Sequence, residues 1–224
     1  MSSLALLCAI TSILYIRHGE VPGNDPKPET YVYTGSGTNE SLTDKGRLQA
    51  KACAERISTL QKSGRLGEIT AIYASDLKRA QETAAPIGQE LGLEVQLSEN
   101  LREIYWGRAD GQLVHEMAKE YKAIENQVKA QHPERRVQWD HLPVFENAET
   151  YNALLKRSVD ELQKIGDEHA GETIVVVGHG RVLKTLIAES LDSEEGIPYP
   201  ANCGIARFSY SPEEGVRFIE VLAD

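Results

Sequence analysis

Two apolar runs that lie far apart in the chain each end in a histidine beside glycine, and this pairing constrains the fold more than any other feature. Residues 12–16 form a β-branched and aromatic run that stops at Arg17-His18-Gly19. Residues 173–177 form a second run, which stops at Gly178-His179-Gly180 and passes into a helical pattern. In open α/β sheets, ligands bind outside the carboxyl ends of the strands, so the pattern predicts two imidazoles facing one pocket.

The chain between and beyond these runs alternates strand and helix signals. Residues 21–41 are rich in Gly, Pro, Asn and Thr and read as a long loop that starts beside His18. Thr43 is a fitting N-cap for a helix to about residue 62, with Leu48, Ala52, Ile57 and Leu60 expected near one face and Ser63-Gly64 ending it. A strand is expected over 69–74. Ser75 is then expected to cap a helix whose Leu77, Ala80, Ala84, Ile87 and Leu91 repeat at helical spacing; Pro86 should kink or split it, and Gly92 should stop it. A short strand over 93–97 leads to a polar, aromatic loop over 101–111. Leu113, Met117, Tyr121, Ile124 and Val128 predict a helix to about residue 131, and residues 132–147, with Trp139 and Arg135-Arg136, read as irregular. This helix and loop, 112–147, are expected to form a cap insertion over the pocket. A helix over 149–168, the strand at 173, a helix over 181–191 and two strands over 205–210 and 216–222 complete the chain, the last two joined as a hairpin with antiparallel pairing at one edge. The expected fold class is α/β, a three-layer α/β/α arrangement on a mostly parallel sheet, in a single domain over 1–224.

Composition excludes several roles. With 224 residues, 41% of them hydrophobic and 26% charged, the chain suits one globular domain with a full core. A net charge of -10 disfavours nonspecific nucleic-acid binding, which needs clustered Lys and Arg, so an anionic substrate would need a local basic pocket. Cys8, Cys53 and Cys203 have no zinc or redox spacing and are expected to be reduced and mostly buried. Residues 1–10 are apolar but lack the basic start of a signal peptide, and no unbroken apolar run is long enough for a membrane span. The expectation is a cytoplasmic protein with a small-molecule partner; a homodimer stays open.

Certain residue types in this order point to phosphoryl chemistry. A neutral imidazole is a good nucleophile toward phosphorus when one nitrogen is held by a hydrogen bond and the other faces the substrate, and His18 has that setting. Arg17 beside it would offer a fork of donors to phosphate oxygens. Arg79 falls in the first turn or so of the helix leaving the strand at 69–74, where it would reach the same strand-end pocket. Glu103, in Leu101-Arg-Glu-Ile-Tyr-Trp-Gly107, is a carboxylate flanked by large apolar groups, an environment that suits a general acid. His115, His132, His141 and His169 lack metal-ligand spacing, and there is no Gly-rich nucleotide phosphate loop with its Lys.

Taken together these residues resemble the histidine phosphatase superfamily, in the branch that includes cofactor-dependent phosphoglycerate mutases. The resemblance rests on Arg17-His18-Gly19-Glu20, Asn24, Leu42-Thr43-x-x-Gly46-x-x-Gln49-Ala50, Ser75-x-Leu77-x-Arg79-Ala80-x-x-Thr83-Ala84, Leu101-x-Glu103-x-x-x-Gly107-x-x-x-Gly111 and His179-Gly180, in family order across nearly the whole chain. It implies a phosphoglycerate mutase-like fold, His18 as the phosphorylated nucleophile and Glu103 as the proton donor. It also implies a phosphate pocket of Arg17, Arg79 and a protonated His179, with Asn24 as a further contact. Gly180 and Arg181 are expected to open a helix whose free N–H groups favour the same anion. No metal and no cofactor is implied. The loop after His18 is longer than in mutases, Gly23 stands where they carry Trp, and their basic carboxylate-binding residues are not evident, so a phosphatase acting on a small phosphorylated metabolite is favoured over a mutase. A catalytically silent binding module is disfavoured because none of the core residues is missing. Lys27, Tyr31, Tyr33 and Arg135 are the candidates for substrate-specific contacts.

Overall fold

A computed structural model describes residues 9–24, 27, 29–131, 145–193 and 196–222. The strands are β1 (Thr11–Arg17), β2 (Ile69–Ser75), β3 (Val95–Ser98), β4 (Thr173–Gly178), β5 (Ile205–Ser211) and β6 (Gly215–Leu222). The helices are α1 (Asp44–Lys62), α2 (Lys78–Leu91), α3 (Val114–Gln131), α4 (Tyr151–Glu168) and α5 (Gly180–Leu191), and short 3-10 turns occupy Glu99–Leu101 and Gly107–Ala109. One sheet of six strands runs in the order β3-β2-β4-β1-β5-β6. The first four pair in parallel, while β5 pairs antiparallel with both β1 and β6, which gives the antiparallel edge expected from the hairpin.

The two-residue period of the strands divides the core into two layers. Ile13 and Tyr15 of β1 and Ile174 and Val176 of β4 face Leu154, Leu162 and Ile165 of α4 and Val182, Leu183, Leu186 and Ile187 of α5. Leu14, Ile16, Val175 and Val177 face the other way, onto Ala50, Cys53, Ala54 and Ile57 of α1 and Ala80, Ala84 and Ile87 of α2. Because β1 and β4 are covered on both faces, their runs are continuously apolar and stop only where the chain leaves the sheet. They end side by side, with Arg17 level with Gly178.

Three local expectations are corrected. Leu48 is 68% exposed, because α1 turns Gly46, Ala50, Cys53, Ala54, Ile57 and Ser58 to the core and the small residues set its inner face. Ser75 does not cap α2: it ends β2, its Oγ accepts a hydrogen bond from the Leu77 N–H at 3.3 Å, and the helix starts at Lys78. Pro86 does not split α2, which runs unbroken to Leu91; the missing N–H is outweighed by the burial of Ala84 and Ile87 on either side of it. Thr43 does cap α1, its side chain accepting from Gly46 N–H, and Gly92 does end α2 in the left-handed conformation.

The long loop is tied down rather than loose. Tyr33 N–H donates to Gln112 O, Gly111 N–H to Tyr33 O and Val114 N–H to Tyr31 O, so residues 31–33 run beside the entry to α3. Trp139, Arg135 and Arg136 lie outside the described residues, as does Cys8. Cys53 and Cys203 are buried and not joined in a disulfide. Among the described residues no helix is long and apolar enough to cross a membrane.

Candidate active site

The carboxyl ends of β1 and β4 bring His18 and His179 together, with ring centroids 5.2 Å apart. Both are buried. His18 is fixed through its backbone, its N–H donating to Gly178 O and its carbonyl accepting from Asn202 Nδ2, so strands and the 199–204 turn hold it from two sides. Its Nδ1 lies 2.7 Å from Gly19 O. A carbonyl only accepts, so Nδ1 carries the proton and the Nε2 lone pair is left free. Gly19 N–H in turn donates to Thr83 Oγ1, which donates to Arg79 O, and this links the histidine turn to α2.

Arg79 is wholly buried. Its Nη1 and Nη2 donate to Thr38 O and Gly35 O, each at 2.9 Å, and its Nε donates to His179 Nδ1 at 3.3 Å. A guanidinium only donates, so His179 accepts at Nδ1 and carries its proton on Nε2. That Nε2 is buried and meets no acceptor; Arg17 Nε is the other buried donor here in the same condition. The loop that receives Arg79 is pinned by Asp110, whose carboxylate accepts from the N–H groups of Gly35, Gly37 and Trp106. Burial raises the Asp110 pKa, against the lowering by those donors.

The protonated His179 implied by the resemblance is an expectation for a site that holds a phosphoryl group. Burial, and after it the charge of Arg79, hold both imidazoles well below the usual histidine range. Without an anion, both rings are neutral near pH 7, and His179 serves as a neutral donor through Nε2–H.

Glu103 stands opposite, buried, at the start of α5. Its Oε1 accepts from Ile104 and Val182 N–H at 2.9 and 3.3 Å, and its Oε2 from Arg181 N–H at 2.9 Å. The Arg181 and Val182 N–H groups of α5 are therefore taken by Glu103, while Gly180 N–H, the first of the helix, is not among those it accepts from. The Glu103 loop is braced by Arg157, which donates to the carbonyls of Asn100, Arg102 and Glu103 and pairs with Glu149 at 2.7 Å.

A cleft of about 190 Å³ opens between these elements. Arg17, His18, Asn24, Glu103 and Gly180 line it, while Arg79 and His179 lie behind the lining. Asn24 is held by Asn202 Nδ2 at 3.5 Å. Arg17 donates to Pro200 O and stacks its guanidinium 5.0 Å from the Tyr199 ring. Tyr31 and Tyr33 line the walls, Lys27 is exposed and absent from them, and Arg135 lies outside the described residues. Sequence reasoning missed Tyr15, whose Oη accepts from His179 N–H, and Asn202, Tyr199 and Arg157. It named Thr83 only within a motif. Their roles depend on pairings between residues far apart in the chain, which no local pattern encodes. Among the described residues no three His, Cys, Asp or Glu side chains are grouped to hold a metal ion.

Known proteins resemble this chain along most of its length. The chain is 34% identical over 202 residues to phosphoglycerate mutase-like protein 4 of Arabidopsis thaliana, covering 88% of this chain and 78% of the relative. It is 33% identical over 182 residues to the metal-independent phosphoserine phosphatase of Arabidopsis thaliana, covering 79% and 67% respectively. Among solved structures, phosphoserine phosphatase from Entamoeba histolytica in complex with 3-phosphoglyceric acid superposes with a TM-score of 0.73 at 26% identity, over 96% of this chain and 98% of that one. Residues 13–218 match the profile of the histidine phosphatase superfamily (branch 1), and with that match over most of its length the chain belongs to this superfamily.

Proposed function

We propose that this enzyme is a metal-independent phosphomonoesterase that hydrolyses a small phosphorylated metabolite through a phosphohistidine on His18. The observation that carries the reading is the fixed tautomer of His18, Nδ1–H on Gly19 O with Nε2 free, beside two buried donors without acceptors, Arg17 Nε and His179 Nε2. A phosphate placed there would satisfy both donors and meet the nucleophile.

In the first step His18 Nε2 bonds to phosphorus, the ester P–O bond breaks, and Glu103 gives its proton to the leaving oxygen. Arg17, Arg79, Asn24 and His179 Nε2–H offset charge on the phosphoryl oxygens, the main task in a loose transition state. In the second step the Glu103 carboxylate takes a proton from water, the water oxygen bonds to phosphorus, and the N–P bond breaks. Val114 and Tyr121 of α3 line the cleft, which supports a single domain in which 112–131 covers one side of the pocket; residues 132–144 of the expected cap lie outside the described residues. Relatives named as phosphoserine phosphatases support hydrolysis over return of the phosphoryl group to a sugar acid.

The test is hydrolysis of a chromogenic aryl phosphate in EDTA by wild-type and His18→Ala protein, with acid-labile phosphate on the protein followed by mass spectrometry. Turnover that resists EDTA, with a transient mass gain, both lost in the variant, is the expected result. Turnover that survives His18→Ala would overturn the assignment, and phosphoglycerate isomerisation faster than hydrolysis would favour a mutase.

A further inference from the structure

One cation in the cleft has no part in the chemistry described so far. Arg181 is the second residue of α5, and its backbone N–H serves Glu103, but its side chain turns into the cleft wall. There the guanidinium lies 5.4 Å from the Trp106 ring and 5.5 Å from the Tyr151 ring. Trp106 and Tyr151 are themselves buried in the core, so the platform is rigid. Among the described residues no carboxylate, carbonyl or hydroxyl accepts a hydrogen bond from this side chain. The nearby acid, Glu103, has its oxygens engaged by three backbone N–H groups. A guanidinium is always charged, and its five donors match the two oxygens of a carboxylate. Arg79, by contrast, is held at two carbonyls and His179, and Arg17 stacks on Tyr199 and donates to Pro200 O.

We propose that Arg181 determines substrate class, by receiving a carboxylate carried on the body of the phosphomonoester whose phosphate sits at His18. This rests on the phosphatase reading above. Cation–π contact with two aromatic rings orients the guanidinium without using its N–H groups, so the fork stays open for a ligand. Tyr31, Tyr33 and Tyr121 share that wall and give it a polar, aromatic rim.

The test compares kcat/KM within two pairs that differ at the acid group: O-phosphoserine against O-phosphoethanolamine, and 3-phosphoglycerate against glycerol 3-phosphate, with phosphate release as the readout. In wild-type protein the acid is expected to be preferred at least tenfold in at least one pair, mostly through KM. Arg181→Met should lower that ratio at least tenfold, and Arg181→Lys, which keeps charge but loses the fork, should fall between. No preference in either pair overturns the proposal. So does a preference that survives Arg181→Met, or equal losses on both members of each pair, which mark a purely structural role. Thermal melts check that the variants fold, and the lysine variant keeps the test open if the methionine variant does not. Failure of the phosphatase reading is separate, since it removes His18-dependent aryl phosphate turnover from wild-type protein.

Discussion

Acid should destabilise this fold at a pH where carboxylates are still ionised. His18 and His179 have pKa values held well below the usual histidine range, by burial first and by Arg79 next. In the unfolded chain both titrate near pH 6.5. Above that pH neither state binds the protons, and no penalty exists. As pH falls below about 6.5 the unfolded chain takes up two protons that the native site refuses, so native stability falls until the depressed native values are reached. Each such proton is worth about 1.4 kcal/mol per pH unit, so the pair sets a limiting slope of roughly 3 kcal/mol per unit. Integrated from pH 6.5, where the unfolded histidines are half titrated, to pH 5.5, the pair amounts to about 2 kcal/mol, a drop in Tm on the order of 4–8 °C for a chain of this size. Differential scanning calorimetry on wild-type and His18→Asn protein measures it. Asparagine keeps a donor for Gly19 O but cannot titrate, so its slope should be about half. Saturating inorganic phosphate should flatten the wild-type slope, because an anion between the rings favours their protonation. A wild-type Tm that does not change over this range, or the same slope in His18→Asn, would refute the reasoning.

Three further outcomes follow from the same geometry. Glu103→Gln should slow hydrolysis of alkyl phosphates by about 10²–10⁴-fold, the usual size of general-acid help, and aryl phosphates with good leaving groups much less; a leaving-group series with equal losses throughout would count against Glu103 as proton donor. Asp110→Ala frees the backbone N–H groups of Gly35, Gly37 and Trp106 and loosens the loop that receives Arg79; a loss of about 1–3 kcal/mol in urea unfolding and a raised KM for aryl phosphate are expected, and an unchanged KM would separate the loop from the site. Gly178→Ala would drive a methyl group into the Tyr15 ring and hydroxyl, which supports His179 N–H; soluble expression and a near-wild-type melt would show that the strand ends tolerate more movement than their packing implies.

Much of the sheet was legible because β1 and β4 are buried on both faces and so carry continuous apolar runs with abrupt polar ends. The helices were legible in type but less so in orientation. Leu48 fitted an apolar stripe on α1, yet the inner face is set by Gly46, Ala50 and Ala54, which let the helix approach the sheet closely. Within the site, the residues that carry chemistry sit at strand ends and in short motifs, where residue type and position coincide. What holds them does not. Asp110 reaches residues 35 and 37, Arg157 reaches the 100–103 loop, and Asn202 reaches His18. Those contacts are set by topology, and a sequence pattern has no signal for them.

The position of β1 in the middle of the sheet has a consequence for how the molecule comes into being. The strand from residue 11 to 17 pairs with β4 and β5, whose residues are made much later, so it waits while β2, β3 and the helices between them are synthesised. Loop closure over such separations makes folding slow and leaves β1 an unpaired apolar segment in any shortened product. The same pairing sets Arg17 and His18 beside Gly178 and Asn202, so a nascent or truncated chain has no place to bind or cleave a phosphate ester. Turnover thus reports on completion of the fold, and a chain that stops before β4 would gain aggregation risk without gaining any activity.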